Sequence, residues 1–277
     1  MTETSPRLLL QAVADVARLA GATALPYFGM PLVAESKPDG SPVTVADRNA
    51  ERAAREWITE RFPSDGILGE EFGALRPDAE RQWIIDPIDG TKSFIRGVPL
   101  WGSLVAVTNG ERVLAGAACL PALDEIVVAA IGEGAWWNDV RCHVSDVRTL
   151  ADATITTTDE RFLEHPRHGD RWRALAPQVS VARSWGDCFG YVMVATGRAE
   201  AMVDPVLSAW DAAPFLPIVV EAGGVFTDWS GRASVRGGSA IATNQALARE
   251  IRAALDCPQF TEQPHEGDAP DAGSRSA

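Results

Sequence analysis

The sequence predicts an α/β (α+β) protein in two lobes, and three observations on the 277-residue chain predict it. The first is an apolar run, Trp83-Ile84-Ile85, that ends in Asp86-Pro87-Ile88-Asp89-Gly90-Thr91. It reads as a buried strand that stops at Asp86, because Pro87 removes a backbone donor, and delivers two carboxylates to a turn. The second is a series of β-rich segments, Leu100–Val107, Val113–Ala118 and Glu125–Ala130, separated by Asn109-Gly110 and Pro121. That spacing predicts an antiparallel meander. The third is the regular exchange of strand-like and helix-like segments after residue 153, the pattern of a largely parallel sheet with helices on its faces.

Taken in order, Leu9, Val13, Val16, Ala17 and Ala20 recur at helical spacing and predict a first amphipathic helix over Leu8–Leu25, stopped by Pro26. Lys37 and a Pro-Asp-Gly turn precede Val43-Thr44-Val45, and Asp47 opens a second helix, Arg48–Phe62. Asp47 is either its N-cap or a site carboxylate. A short strand ends in Gly69-Glu70-Glu71; strand alternation lets at most one of the two glutamates enter a site that the other leaves. After the meander, Ile131–Trp137 is a glycine turn followed by an aromatic strand whose Trp pair packs in a core or an interface. The polar stretch Val144–Ala153 marks the boundary between an N-terminal lobe, 1–146, and a C-terminal lobe, 147–260. In the latter, strands are expected at Thr154–Thr158, Val179–Ala182, Ala199–Val203, Val225–Asp228 and Ser239–Thr243, and helices at Asp170–Ala176, Asp187–Thr196, Asp211–Ala222 and Gln245–Leu255. Residues 261–277, rich in Pro, Gly and acidic side chains, are expected to be disordered.

Composition excludes several classes of function. A hydrophobic content of 46% is enough for a substantial core. A net charge of −13, without Lys/Arg clusters, argues against nucleic acid as a partner. Cys119, Cys142, Cys188 and Cys257 form no C-x-x-C pair, which points to a reducing cytoplasm and away from zinc or a disulfide framework. The N-terminus is interrupted by Asp15 and Arg18, and the uncharged apolar run Val113–Leu123 is too short to span a bilayer, so a soluble, cytoplasmic protein without a membrane partner is expected.

The chemistry concentrates at Asp86–Thr91. Gly90 allows a tight backbone path, and Thr91 can cap the short helical stretch Lys92–Ile95, leaving N–H groups free to meet an anion. Carboxylates and a phosphate repel each other unless divalent cations lie between them, so the stretch makes sense as a magnesium-dependent phosphate centre. A capped turn with solvated aspartates is the plainer reading. Asp211, at the start of an apolar helix in Trp210-Asp211-Ala212-Ala213, is likewise either a cap or a member of a shared metal cluster. Phosphatases that form an aspartyl-phosphate carry D-x-D-G-T; this chain reads D-P-I-D-G-T, one residue longer, and in a regular strand i and i+3 do not share a face.

Jointly and in order, Gly69-Glu70-Glu71, Asp86–Thr91 and Trp210–Ala213 resemble the motifs of the inositol monophosphatase family of magnesium-dependent, lithium-sensitive phosphatases, from the first helix to about Leu255. The resemblance implies a five-layer α-β-α-β-α sandwich of the inositol monophosphatase / fructose-1,6-bisphosphatase type, often a homodimer. Within the family, Asp86–Val107, Thr158–Phe162, Trp185–Gly190 and Gly223–Trp229 look closest to the histidinol-phosphatase branch. It further implies magnesium, two to three ions per site, held by Glu70, Asp86, the Ile88 carbonyl, Asp89 and Asp211. Asp47, Glu70 and Thr91 would be catalytic, Thr91 and Asp47 orienting a metal-activated water with no covalent phosphoenzyme. Substrate would be bound by Asp89, Gly90, Thr91, Lys92, Arg183, Asp187 and Asp211, with Asp187 facing the ammonium of L-histidinol phosphate or, alternatively, capping its helix in a pair with Arg183. The competing readings are an inositol monophosphatase or related small-molecule phosphatase, and a non-catalytic magnesium-binding regulatory protein.

Overall fold

The computed structural model describes residues 5–38, 40–162 and 165–260. The tail from residue 261, and Asp39 of the expected Pro-Asp-Gly turn, lie outside the described residues. The chain opens with α1 (Pro6–Ala24), capped by the Ser5 hydroxyl, which accepts the Leu8 N–H at 3.3 Å. A two-stranded ribbon, β1 (Glu35–Ser36) and β2 (Pro42–Val43), leads to α2 (Val45–Arg61). There follow β3 (Gly66–Gly69), β4 (Gly73–Leu75), β5 (Arg81–Asp89), the one-turn α3 (Thr91–Phe94), β6 (Gly102–Asn109), β7 (Arg112–Leu120), β8 (Glu125–Ala130), β9 (Gly134–Trp137) and β10 (Val140–Arg141). The second half contains β11 (Thr154–Thr156), α4 (Pro166–Leu175), β12 (Val181–Arg183), α5 (Asp187–Ala195), β13 (Ala201–Asp204), α6 (Ala209–Ala212), α7 (Phe215–Glu221), β14 (Val225–Thr227), β15 (Ala240–Thr243) and α8 (Ala248–Ala254).

An eight-stranded sheet in the order β10-β9-β8-β7-β6-β5-β3-β4 is built from the first half, and a five-stranded sheet in the order β12-β11-β13-β15-β14 from the second. Strand alternation sorts the side chains between layers. Trp83, Ile85, Val105, Val107, Ala115 and Ala117 face a core shared with Val13, Val16, Ala20 of α1 and Ala50, Ala54 of α2. Their neighbours Ile84, Leu104, Ala106 and Ala118 face the opposite core, shared with α5, α7 and the inner face of the small sheet (Met202, Phe226, Ala242). Ile155, Ala201, Val203 and Ile241 point outward onto Trp172 of α4 and Ile251 of α8. The result is the five-layer α-β-α-β-α sandwich. Helix α1 with the turn to Tyr27 is long and apolar enough to cross a membrane by composition, but half of its apolar window is buried against the large sheet.

Four expectations change. The second helix starts earlier: Thr44 is the N-cap and Asp47 sits at the third helical position, returning its carboxylate to the Thr44 N–H in a capping box. β5 does not stop at Asp86. Its parallel neighbour β3 ends at Gly69 opposite Ile85, so the missing donor of Pro87 interrupts no ladder on that side, and β5 runs on to Asp89 through a bulge against β6. The small sheet is mixed: β11 is parallel to β12 and β13, while β15 runs antiparallel to both β13 and β14. The expected 211–222 helix is two helices, broken where Pro214 packs over the large sheet.

At that contact Gly116 of β7 has no room for a side chain, because a Cβ would stand 2.3 Å from the Pro214 carbonyl oxygen. Gly116→Ala should therefore destabilise the fold by about 1–3 kcal/mol. Urea unfolding checks this; a variant as stable as the parent would mean that the inner helix layer gives way easily.

Candidate metal centre

The bulge decides the geometry of the site. Asp86 pairs with Leu104 and Asp89 with Gly102, so three steps on β5 are matched by two on β6. The surplus residue restores a common face to side chains that a regular strand would turn apart. Ser103 fixes the kink by donating its hydroxyl to the Pro87 carbonyl at 2.6 Å. Carboxylate oxygens of Asp86, Asp89 and Asp211 consequently lie within 4.8 Å of one another. Asp211 arrives from the second half of the chain, at the third position of α6, where its Oδ2 accepts the Ser208 N–H at 3.1 Å. It is at once a helix-capping and a cluster residue.

Around this group the other expected residues take definite places. Asp47 is buried; its Oδ2 accepts from the Thr44 N–H at 2.8 Å and the Thr44 hydroxyl at 2.6 Å, leaving Oδ1 3.4 Å from the Thr91 hydroxyl. Thr91 donates chiefly to the Ile88 carbonyl, at 2.9 Å. Gly90 holds the left-handed turn before α3 with φ of 83°, and Lys92 is exposed on α3. Glu70 is outside the tight group: its Oε1 accepts from Lys37 Nζ at 2.7 Å, and Glu71 Oε1 accepts from the same ammonium at 2.6 Å. The two glutamates thus share one cation, because β3 ends at Gly69 and strand alternation no longer separates them. Glu51 holds this turn by accepting the Glu71 N–H at 2.7 Å. Asp187 begins α5, next to Cys188, whose N–H donates to Asp89 Oδ2. Arg183 is not brought to the cluster: it is exposed, donates to the Ala182 carbonyl at 2.7 Å, and among the described residues makes no ion pair with Asp187.

The electrostatics are those of acidic groups forced together, Asp86 buried and Asp89 and Asp211 half-buried. Burial, then repulsion from Glu70, Asp211 and Asp89, raises Asp86 well above the usual carboxylate range. Asp89 is raised in the same way by burial and by Asp187 and Asp211, against the Cys188 N–H. Burial lifts Asp211 to about 7 and Asp187 to about 6, the latter opposed by Lys92. Burial also lifts Glu71 to about 7 despite Lys37, and raises Asp47. An all-oxygen donor set whose members are each pushed toward the neutral form fits a hard divalent cation, which would relieve the conflict. A separate cavity of about 470 Å³, lined by Arg18, Leu25, Cys119, Pro121 and Asp124, carries no such convergence.

Several participants escaped the sequence reading. Thr44, Glu51 and Lys37 act through contacts between distant segments. Asp204 had a signal that was available: Val203-Asp204-Pro205 repeats the strand-ending Ile85-Asp86-Pro87 pattern.

A family model described as the inositol monophosphatase family matches residues 6–259. The chain is 42% identical over 248 residues to a histidinol-phosphatase of Chlorobaculum parvum, covering 89% of this chain and 96% of that protein. It is 38% identical over 253 residues to a histidinol-phosphatase of Mycobacterium tuberculosis, covering 90% and 97%. Among solved structures, an inositol monophosphatase from Zymomonas mobilis superposes with a TM-score of 0.81 at 30% identity, covering 92% of this chain and all of the other.

The raised carboxylates fix the sign of a pH effect. In the cation-free protein the folded state binds more protons than the unfolded state between about pH 4 and the upper values near 7 for Asp211 and Glu71, so their contribution to stability is full below pH 4 and lost as pH rises to 7. Thermal unfolding of chelated protein should show Tm falling across that window, and added Mg²⁺ should raise Tm most above pH 7. A Tm indifferent to both would mean that the cluster is not under charge stress.

Proposed function

The chain belongs to the inositol monophosphatase family, and from that premise we propose that it is a magnesium-dependent phosphomonoesterase that hydrolyses L-histidinol phosphate to L-histidinol and phosphate. The observation that carries the chemistry is the convergence of Asp86, Asp89 and Asp211, from β5 and α6, onto one point. These carboxylates, with Glu70 and the Ile88 carbonyl, would hold two to three magnesium ions. When bound, the cations supply charge neutralisation to the phosphate and acidify a coordinated water. Asp47 Oδ1 and the Thr91 hydroxyl, 3.4 Å apart, orient the attacking water, and Asp47 takes its proton. Gly90 and Thr91 N–H groups and Lys92 bind phosphate oxygens, so that water attacks phosphorus in line as the bond to the ester oxygen breaks, without a covalent phosphoenzyme; the departing alkoxide takes a proton from solvent water to leave as L-histidinol.

Substrate choice is assigned to Asp187. Its Oδ2 stands 3.2 Å from the point that a Cβ on Gly90 would occupy, beside the phosphate-binding turn. A carboxylate there meets the ammonium of histidinol phosphate, a partner that an inositol ring lacks. The histidinol-phosphatases among the relatives support this substrate; the inositol monophosphatase with the same fold supports the second reading, inositol 1-phosphate. Arg183, turned to solvent, has no part in phosphate binding in this scheme. We place the enzyme in the cytoplasm, in keeping with its four free cysteines, as a homodimer of two-lobed subunits divided near residue 146; sedimentation reads the oligomeric state.

Side-by-side turnover of histidinol phosphate, inositol 1-phosphate, fructose 1,6-bisphosphate and 3′-phosphoadenosine 5′-phosphate tests the proposal. Histidinol phosphate should lead, and a preference for inositol 1-phosphate would replace the substrate while keeping the chemistry. Asp86→Asn should cost on the order of 10²–10³ in kcat on every substrate. Asp187→Ala should raise KM for histidinol phosphate roughly tenfold with kcat nearly kept, and equal losses on a plain phosphomonoester would remove Asp187 from selection.

A further inference from the structure

Behind Asp187 lies a chain of polar contacts that the phosphatase chemistry does not use. Asp204 ends β13 and is buried. Its Oδ1 accepts the Thr158 N–H at 3.0 Å, and its Oδ2 accepts the Thr158 hydroxyl and the Tyr191 hydroxyl, each at 3.0 Å. A hydroxyl has one proton to give. With that proton directed at Asp204, the lone pairs of Thr158 Oγ1 face the opposite way, where they accept the Asp187 N–H at 2.9 Å. The anchor itself is fixed from the core, since the Tyr191 ring stacks on Phe215 with centroids 4.8 Å apart.

The bond to Asp187 acts on a backbone that needs holding. Asp187 has a φ of +51°, in the left-handed region that side-chain-bearing residues seldom adopt. Gly186 lets the turn come this close, because a Cβ there would stand 2.2 Å from Thr158 Cα. In this turn the Asp187 carboxylate lies over the Gly90 turn, while the N–H of Cys188, inside the first turn of α5, donates to Asp89. We propose that Thr158 is a positioning residue for substrate selection, anchored by Asp204, that holds the 186–188 turn in the form presenting Asp187 to the substrate's ammonium group. This rests on the reading of Asp187 and histidinol phosphate given above.

The test is a KM comparison between histidinol phosphate and glycerol 2-phosphate, a phosphomonoester without an ammonium, at saturating Mg²⁺. Thr158→Val keeps the shape and removes the hydroxyl; it should raise KM for histidinol phosphate roughly tenfold while moving KM for glycerol 2-phosphate less than about twofold. Thr158→Ser, which restores the hydroxyl, should return the ratio to that of the parent. Asp204→Asn puts an amide donor against the two hydroxyls and should shift the ratio in the same direction, and it carries the test should the valine variant not fold. A residue that only stabilised the fold would lower Tm and slow both substrates alike. Parallel changes on both substrates, or a ratio unchanged in the folded variants, overturn the relay. A parent enzyme that does not turn over histidinol phosphate overturns the substrate reading instead.

Discussion

Everything at the centre of this molecule depends on the cost of holding several negative charges in one partly buried place. Two unit charges about 4.8 Å apart repel by roughly 3–4 kcal/mol at an effective dielectric near 20, and Asp86, Asp89 and Asp211 approach one another within that distance. Three such pairs amount to about 10 kcal/mol, comparable to the whole stability of a domain. The carboxylates therefore cannot all ionise unless positive charge joins them. At the rim the protein supplies such a charge itself, in the Lys37 ammonium between Glu70 and Glu71; at the centre the described residues supply none, and this is where an external dication fits.

The fold tolerates this arrangement because every participant is tied down by a second bond that does not belong to the cluster. Asp47 and Asp211 each close a capping box, so one oxygen serves the helix while the other faces the site. Asp86 accepts the Ile88 N–H at 2.9 Å, and Asp89 accepts the Cys188 N–H. The site is thus assembled from helix starts and the end of one strand, brought together by the packing of two sheets against shared helices α5 and α7.

Much of this was legible in the amino-acid order, and the reasons for the rest are physical. The helix stripe of α1, the meander β6–β8 and the carboxylate-bearing end of β5 follow from periodicity and turn residues, which are local. The membership of Asp86, Asp89 and Asp211 in one motif set came from the family resemblance and not from local pattern, and their common face came from neither: alternation alone would have parted Asp86 from Asp89, and a bulge leaves no mark in composition. Asp47 and Asp211 posed a false choice between cap and site, since a carboxylate has two oxygens and here divides them. The Thr158–Asp204–Tyr191 contacts join residues 13 and 46 positions apart and could not be read from any single stretch. The mixed pairing of the small sheet was hidden for the same reason: β15 lies between β13 and β14, antiparallel to both, and its four residues carry no sign of which strands they join.

The surplus residue in β5 has one more consequence. A strand slipped by a single step against β6 would carry the kink away from the Ser103 hydroxyl and exchange the helix-facing pair Trp83 and Ile85 for Ile84. The same irregularity takes the Ile88 carbonyl out of the ladder and frees it to meet Thr91. Segment 83–89 is thus notched like a key: its side chains can be exchanged one at a time, but its length cannot change, because inserting or deleting a residue there would misalign the acidic centre and the hydrophobic layers in one stroke.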